Sequence, residues 1–169
     1  MSRPLFLYVN RKALSRPEVA AFLKFGLGDG QSVVPEVGYI RLSDAALKES
    51  QAALEKETAE VKAAGDMGGR VLIDGSSTVF LISQALAEEF QKLHAGVKVD
   101  VARSGTGGGF KKFSVGDADI NGASRPIAKK DIGQCQEHGI EYVEFQITLP
   151  RLSVVGNPAK ARGQCLGAA

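Results

Sequence analysis

A strand–turn–helix pattern repeats three times in the second half of this sequence, and each turn is rich in glycine and small hydroxyl residues. The turns read GSST at 75–78, SGTGGG at 104–109 and ASRP at 123–126. A short apolar run precedes each turn, and a helical pattern follows it. Strands that alternate with helices predict an α/β fold that binds ligands at the sheet edge where the strands end. Because helix N-termini carry unpaired N–H groups and partial positive charge, three such turns predict a pocket for a tetrahedral oxyanion.

Each turn also has an ordinary interpretation. The first is consistent with a simple Ser/Thr N-cap, whereas the four glycines of the second are costly to order unless the backbone needs room. In the third, Arg125 is either a bidentate partner for an oxyanion or a surface ion pair, and the pattern leaves both open. The second turn does not match either common nucleotide-binding motif. Phe110 follows Gly109 at the position where a dinucleotide-binding fingerprint requires glycine. A P-loop requires lysine at this position, followed by Ser or Thr.

The remaining pattern supplies further strands and helices. In the first half, an apolar strand at 5–9 precedes a helix that Ser15 and Glu18 would start as a capping box, and Ser43 would cap a long helix to about residue 64. In the second half we expect strands at 70–74, 97–102, 118–122, 140–148 and 152–155, and helices at 78–94, 107–115 and 127–138.

Composition excludes several classes of protein. The 169 residues suit one domain, with 44% hydrophobic and 24% charged residues. A net charge of +2 with scattered basic residues argues against nucleic acid as a partner. No apolar run reaches the roughly 18 residues that membrane insertion requires, and the first residues lack the pattern of a signal peptide.

Catalytic patterns are absent from the sequence. Neither histidine lies near a nucleophile motif, and the acidic residues form no recognisable metal set. Asp74 and Asp119 end strands near the expected pocket, where we expect them to cap turns. We therefore expect no enzyme activity, no metal and no cofactor.

Several long segments resemble the phosphate-binding proteins of bacterial ABC transporters, a family of periplasmic binding proteins. DGSSTVFLISQALAEEF, SGTGGGFKKF, DINGASRPI, GIEYVEF and LSVVGNP resemble the N-terminal part of that family, in this order. SRPLFLYV, RPEVAAFLKF and VPEVGYIRL resemble its C-terminal part, yet they come first here. A tail-like block, 1–64, thus precedes a head-like block, 70–158. The glycine-rich stretch 65–69 would join the blocks, and 159–169 would form a poorly ordered tail.

The resemblance implies a particular fold. The family has two lobes, and the head and tail of its chain build the first. This chain therefore resembles one lobe of a type II periplasmic binding protein-like fold, circularly permuted. We expect a three-layer α-β-α sandwich with a mixed, mostly parallel sheet that contains 5–9, 70–74 and 97–102 together.

The resemblance also implies a function and a site. It implies non-enzymatic binding of inorganic phosphate, or of a similar oxyanion such as sulfate, at half of a phosphate site. The implied hydroxyl donors are Thr78, Thr106 and Ser124, the backbone donors are Val79 and Gly107, and the cation is Arg125. Further candidates are Ser76, Ser77, Ser104 and Gly105. The carboxylate with which some relatives accept the proton of hydrogen phosphate is replaced here by Ser124 or Arg125.

Partners and location follow from the resemblance alone. It implies a transporter permease as partner and a periplasmic or extracellular location, although the sequence as given would stay in the cytoplasm. An exposed cleft face favours a homodimer. The alternative is a structural relic or engineered lobe that self-associates and binds no ligand. Cys135 and Cys165 would be unpaired thiols or, in an exported protein, a disulfide.

Overall fold

The computed structural model describes residues 4–61 and 67–150. This part of the chain contains six strands and six helices. They are β1 (Leu5–Asn10), α1 (Arg11–Leu14), α2 (Pro17–Gly26), β2 (Tyr39–Ile40), α3 (Asp44–Thr58), β3 (Gly69–Gly75), α4 (Ser77–Leu93), β4 (Val97–Val101), α5 (Thr106–Ser114), β5 (Ile120–Ala123), α6 (Lys129–Glu137) and β6 (Tyr142–Pro150). A short 3₁₀ turn, Asp29–Ser32, lies between α2 and β2. No helix of the described ranges is both long and apolar enough to cross a membrane.

The strands form one mixed sheet in the order β2-β6-β1-β5-β3-β4. β3 runs parallel to β4 and β5, whereas β1 is antiparallel to both β5 and β6, and β2 is antiparallel to β6. The mixed sheet was predicted, but the expectation that it is mostly parallel is wrong, because three of these five pairings are antiparallel. Two of the antiparallel pairings arise because β1 enters between β5 and β6 in the reverse direction, and the third is that of β2 with β6.

Strand β1 lies inside the sheet and is buried along its whole length. Alternation along the strand sends Leu5, Leu7 and Val9 to one core and Phe6 and Tyr8 to the other. The first core packs side chains of α2, α3 and α4, and the second packs those of α5 and α6. Helices therefore cover both faces, which gives the three layers expected. The placement of 5–9 in one sheet with β3 and β4 is also confirmed.

Helix boundaries in the first half differ from the sequence prediction. Residues 11–14 form the unpredicted α1, which begins where Oδ1 of Asn10 accepts the Lys12 N–H at 2.9 Å. Ser15 consequently closes α1, and its hydroxyl donates to the Lys12 carbonyl at 2.7 Å. The predicted capping box of Ser15 is therefore wrong, since Arg16 is the N-cap of α2 and Pro17 its first residue. Helix α3 ends at Thr58, before the predicted end.

In the second half the elements agree more closely. Helices α4 and α5 begin one residue earlier than predicted, whereas α6 begins two residues later, at Lys129. The glycine-rich join is described only in part: Met67 and Gly68 precede β3, and Gly69 belongs to it. The strand predicted at 152–155, the tail at 159–169 and Cys165 lie outside the described residues.

Candidate functional site

The three glycine- and hydroxyl-rich loops meet at one edge of the sheet. They follow β3, β4 and β5, which are parallel and therefore end at the same edge. The Gly105 N–H donates to the Gly75 carbonyl at 2.9 Å, which joins the first loop to the second. The Ser76 N–H donates to the Gly122 carbonyl at 2.8 Å, which joins the first loop to the strand that leads into the third. The structure thus brings together the loops that the sequence singled out.

The first loop turns sharply into α4. Gly75 has φ +142°, and a Cβ there would collide with the Gly122 carbonyl, so only glycine fits. Ser76 is the buried N-cap of α4, and its Oγ accepts the Thr78 N–H at 3.2 Å. Ser77 is exposed. Val79 lies in the first turn of α4, and no acceptor among the described residues receives its N–H. This loop therefore leaves open donors at a helix N-terminus.

Tyr39 ties this first turn to the first half of the chain. Its hydroxyl donates to the Thr78 carbonyl at 2.6 Å, and its ring is buried. Burial raises the pKa of Tyr39, which keeps the hydroxyl protonated and able to donate. The start of α4 is thus held by β2, which pairs with β6.

The second loop begins α5. Gly105 is the N-cap with φ +78°, a left-handed conformation that favours glycine, and its own N–H is used by Gly75. Thr106 and Gly107 are the first two helical residues, and the described part of the chain gives their N–H groups no acceptor. A Cβ at Gly107 would meet nothing within 4 Å. This open side of Gly107 is a place where an anion can approach the backbone.

The third loop differs from the prediction. Ser124 follows β5 directly, and its N–H donates to Oγ1 of Thr106 at 3.4 Å. The loop does not open a helix, because α6 starts only at Lys129. The helix begins there because the Ala128 N–H donates to Oδ2 of Asp131 at 3.2 Å, which makes Ala128 the N-cap of α6. Two helix N-termini, of α4 and α5, therefore face this edge, and the third loop contributes side chains and extended backbone.

The Arg125 guanidinium contacts other groups of the same chain. Its Nη2 lies 2.8 Å from Oδ2 of the buried Asp131, and its Nη1 donates to the Pro126 carbonyl at 2.9 Å. The guanidinium also lies 5.5 Å from the centre of the Phe110 ring. Of the two interpretations open in the sequence, the ion pair is thus present. The side chain remains 40% exposed, so its outer edge is accessible.

A cluster of Asp74, Ser104 and Lys112 lies beneath the loops; the sequence analysis named Asp74 as a turn cap and Ser104 as a candidate ligand residue, but not Lys112. Oδ1 of Asp74 accepts the N–H groups of Gly75 and Ser104 at 2.7 and 2.8 Å. Oδ2 accepts the Ser104 hydroxyl at 2.8 Å and Nζ of Lys112 at 2.6 Å. The N–H and the hydroxyl of Ser104 therefore both donate to Asp74, and neither donates toward the open edge. Turn capping by Asp74 is confirmed, but the same expectation for Asp119 is wrong. Asp119 precedes β5 instead of ending a strand near the loops, and its Oδ2 accepts the N–H of Leu72 on the neighbouring β3 at 2.9 Å.

The pKa of Asp74 reflects these contacts. Burial raises the pKa, but the hydrogen bonds from Lys112, Ser104 and Gly75 outweigh it, so the pKa lies below its ordinary value of 3.8. The sequence analysis missed Lys112, because its pairing with Asp74 spans 38 residues and no local pattern signals it.

Asn121 is a second residue that the sequence analysis missed. It is fully buried on β5, and its amide N and O have no hydrogen-bond partner among the described residues. A Cβ added at Gly109 would collide with its Oδ1, which places the amide directly beneath α5. Its only signal in the sequence is a polar residue within an otherwise small and apolar strand.

The edge formed by the loops is accessible to solvent, since Ser77 and Gly107 are exposed. A cavity of about 560 Å³ lies among α2, α3 and the end of α4, where Met67 and His94 mark the opposite edge of the sheet. None of the ten predicted site residues lines it. Across the described ranges, no group of three or more His, Cys, Asp or Glu side chains is arranged to hold a metal ion.

Comparison with known proteins defines the class. The family model of the PBP superfamily domain matches residues 44–165, and the chain belongs to this superfamily. A solved phosphate-binding protein of a phosphate ABC transporter from Streptococcus pneumoniae has the same fold, with a TM-score of 0.64 at 19% identity over 88% of this chain and 49% of that one.

Two curated relatives are more similar in sequence. Protein SphX of Synechococcus elongatus is 53% identical over 87 residues, which cover 52% of this chain and 26% of SphX. The phosphate-binding protein PstS of Staphylococcus aureus is 39% identical over 92 residues, 54% of this chain and 28% of PstS. The matched half of this chain thus covers about a quarter of the length of each of these relatives, which fits a single lobe.

Proposed function

We propose that this chain binds inorganic phosphate, or a similar tetrahedral oxyanion, without catalysis, at the edge where the first turns of α4 and α5 meet Ser124. The observation that carries the proposal is the joining of the three loops, which gathers open backbone N–H groups and the hydroxyls of Thr106 and Ser124. Relatives named as phosphate-binding proteins support the choice of ligand.

The chemistry of the edge suits an oxyanion. Val79 and Gly107 lie in the first turns of two helices, where the helix dipoles favour negative charge. The hydroxyls of Thr106 and Ser124 donate to oxygen without adding bulk. Arg125 adds positive charge through the exposed edge of its guanidinium, while its Nη2 forms the ion pair with Asp131. Every one of these groups can donate a hydrogen bond, which is what the oxygens of a dianion require.

A single lobe supplies only half of a closed site. A second lobe facing the same ion would add about four charge-assisted bonds, worth ~1.5 kcal/mol each. Without these bonds the free energy of binding is less favourable by ~6 kcal/mol, which lowers the affinity by about four orders of magnitude. If the closed, two-lobed site has a micromolar dissociation constant for phosphate, we expect the single lobe to have a dissociation constant of roughly ten millimolar or higher.

The test is a phosphate titration of ¹⁵N-labelled protein at constant ionic strength, with sodium chloride as the control for screening. We expect saturable shifts at the amides of Val79, Thr106, Gly107 and Ser124, with millimolar affinity. Light scattering on the same sample gives the oligomeric state. Absence of saturable shifts would contradict the proposal, and micromolar binding by a monomer would contradict the half-site argument.

A second candidate is self-association without ligand. Leu81 is 54% exposed and lies one turn beyond Ser77 on α4, and Ile40 is 39% exposed beside Tyr39. Such apolar side chains near the open edge favour contact with a second copy. A dimer that forms equally with and without phosphate would favour this candidate, whereas a dimer promoted by phosphate would indicate that two copies share one ion.

We also propose the circular permutation. In a two-lobed relative the middle of the chain is inserted between head and tail, which here correspond to β6 and β1. Leu5 pairs with Thr148, so the two points of insertion lie side by side. A rearranged chain that joins 150 to 4 by a short flexible linker and opens between 61 and 67 should fold with an unchanged circular dichroism spectrum. An unfolded product would contradict the permutation.

Transport remains part of the proposal. If the chain acts with a permease, as the resemblance implies, its location is periplasmic or extracellular. Pull-down of the permease from membranes with the tagged chain, compared with a full-length two-lobed relative, tests this partner.

A further inference from the structure

Asp74 is an unusual group to find beneath an edge that suits anions. Its side chain is only 4% exposed, and it is the last residue but one of β3, next to Gly75, at which the loop that leads into α4 begins. A buried carboxylate repels a nearby anion unless its charge is balanced. Four donors from three parts of the chain surround its two oxygens, so this carboxylate has no free acceptor facing outward.

These donors belong to both helix-opening loops. The Gly75 N–H belongs to the loop before α4, and the N–H and hydroxyl of Ser104 belong to the loop before α5. Lys112, on the second turn of α5, donates to Asp74 at 2.6 Å and to the Ser104 hydroxyl at 3.1 Å. One carboxylate therefore fixes the distance between the two loops, and one ammonium group neutralises that carboxylate.

We propose that Asp74 and Lys112 act as a positioning pair, which sets the spacing of the α4 and α5 N-termini and cancels the carboxylate charge beneath them. The inference rests on the proposed function, since the spacing matters for an oxyanion that bridges both helices. Neither residue needs to touch the ion. Lys112 is the more informative of the two, because its side chain is 49% exposed and its replacement leaves the cores intact.

The experiment compares four variants of the full chain in the phosphate titration. Lys112→Met removes the charge and should weaken phosphate binding by about tenfold or more, the cost of one lost charge-assisted bond. Lys112→Arg keeps the charge and should stay within about threefold of wild type. Lys111→Met is the matched control, since it removes the same charge from the neighbouring exposed position and should change affinity by less than about threefold.

The fourth variant, Asp74→Asn combined with Lys112→Met, separates charge balance from general damage. The asparagine oxygen still accepts from Gly75 and Ser104, and no unbalanced charge remains. This variant should therefore recover most of the affinity lost in Lys112→Met. If the double variant instead binds more weakly than Lys112→Met, the charge-balance inference is wrong. Equal losses in Lys112→Met and Lys111→Met would also overturn it.

Hydrogen exchange without phosphate distinguishes this inference from the proposed function. The pair predicts that the Ser104 amide exchanges at least about tenfold more slowly than the open amide of Gly107. Slow exchange at Ser104 in a protein that binds no phosphate would support the pair and contradict the proposed function. Exchange of both amides at the same rate would overturn the pair, whatever the titration shows.

Discussion

The hydroxyl of Thr106 lies 3.3 Å from the hydroxyl of Ser124, although 18 residues separate them in the sequence. The contact joins the first residue of α5 to the loop after β5. It is the point where two of the predicted ligand residues meet directly, and so it marks the part of the edge where an oxyanion would receive hydroxyl and backbone donors together.

Thr106→Val tests this contact. Valine keeps the shape and removes the hydroxyl, so phosphate binding should weaken by about tenfold, equivalent to ~1.4 kcal/mol. Thr58→Val is the control, since the Thr58 hydroxyl donates to the Leu54 carbonyl at the opposite edge. Affinities come from the NMR titration. Equal affinities of the two variants would remove the Thr106 hydroxyl from the site.

Gly107→Ala tests the open side of α5. Gly107 is helical and has room for a methyl group, so alanine should keep or raise the melting temperature, because it is the better helix former. The same methyl group would occupy the approach to the N–H and should weaken phosphate binding. Gly133→Ala on α6, where space is also open, should stabilise the protein without affecting affinity. Unchanged affinity in Gly107→Ala would mean that the ion does not approach there.

Arg125→Ala tests whether the guanidinium reaches the ion while it is paired with Asp131. Loss of a direct charged partner should weaken phosphate binding by about 1.5–3 kcal/mol. Arg70→Ala is the control, because Arg70 forms an ion pair with Asp100 between β3 and β4. If Arg125→Ala lowers the melting temperature but leaves affinity intact, Arg125 serves only the fold.

Asp74→Asn tests the pH dependence of stability. Because the pKa of Asp74 is lowered in the folded protein, its stabilising effect is complete above the ordinary value of 3.8 and is lost as the pH falls through the folded pKa. Wild type should therefore exceed the variant in free energy of unfolding at pH 7 by about 1.5–3 kcal/mol. This difference should shrink below about pH 4.

Urea unfolding at several pH values measures both free energies. Other carboxylates titrate in both proteins and cancel in the difference. Asp117→Asn is the control, because Asp117 is exposed. Its difference from wild type in free energy of unfolding should not shrink at acid pH in the way expected for Asp74→Asn. A difference that stays constant from neutral to acid pH would contradict the role of Asp74.

Local patterns in the sequence predicted the elements that depend on near neighbours. Helix α4 followed from the helical spacing of five apolar residues. Four of them, Val79, Ile82, Leu86 and Phe90, are buried, whereas Leu93 at the end of the helix is exposed. Strand β1 followed from its apolar run. Where a local signal misled, a competing local structure was the reason. Helix α1 took the place of the expected cap at Ser15, and the contact of Asp131 with the Ala128 N–H set the start of α6 at Lys129.

The sequence by itself determined the three loops, the alternation of strands and helices, and the family to which the chain belongs, because these depend on residue order over short distances. Only the tertiary structure decided the antiparallel entry of β1, the ion pair of Arg125 with Asp131 and the placement of Lys112 on Asp74. The direction of β1 depends on which strands it lies between, and no pattern within β1 specifies that. The Asp74 contacts join residues 30 and 38 positions apart, and they form only because β3, β4 and β5 end at one edge.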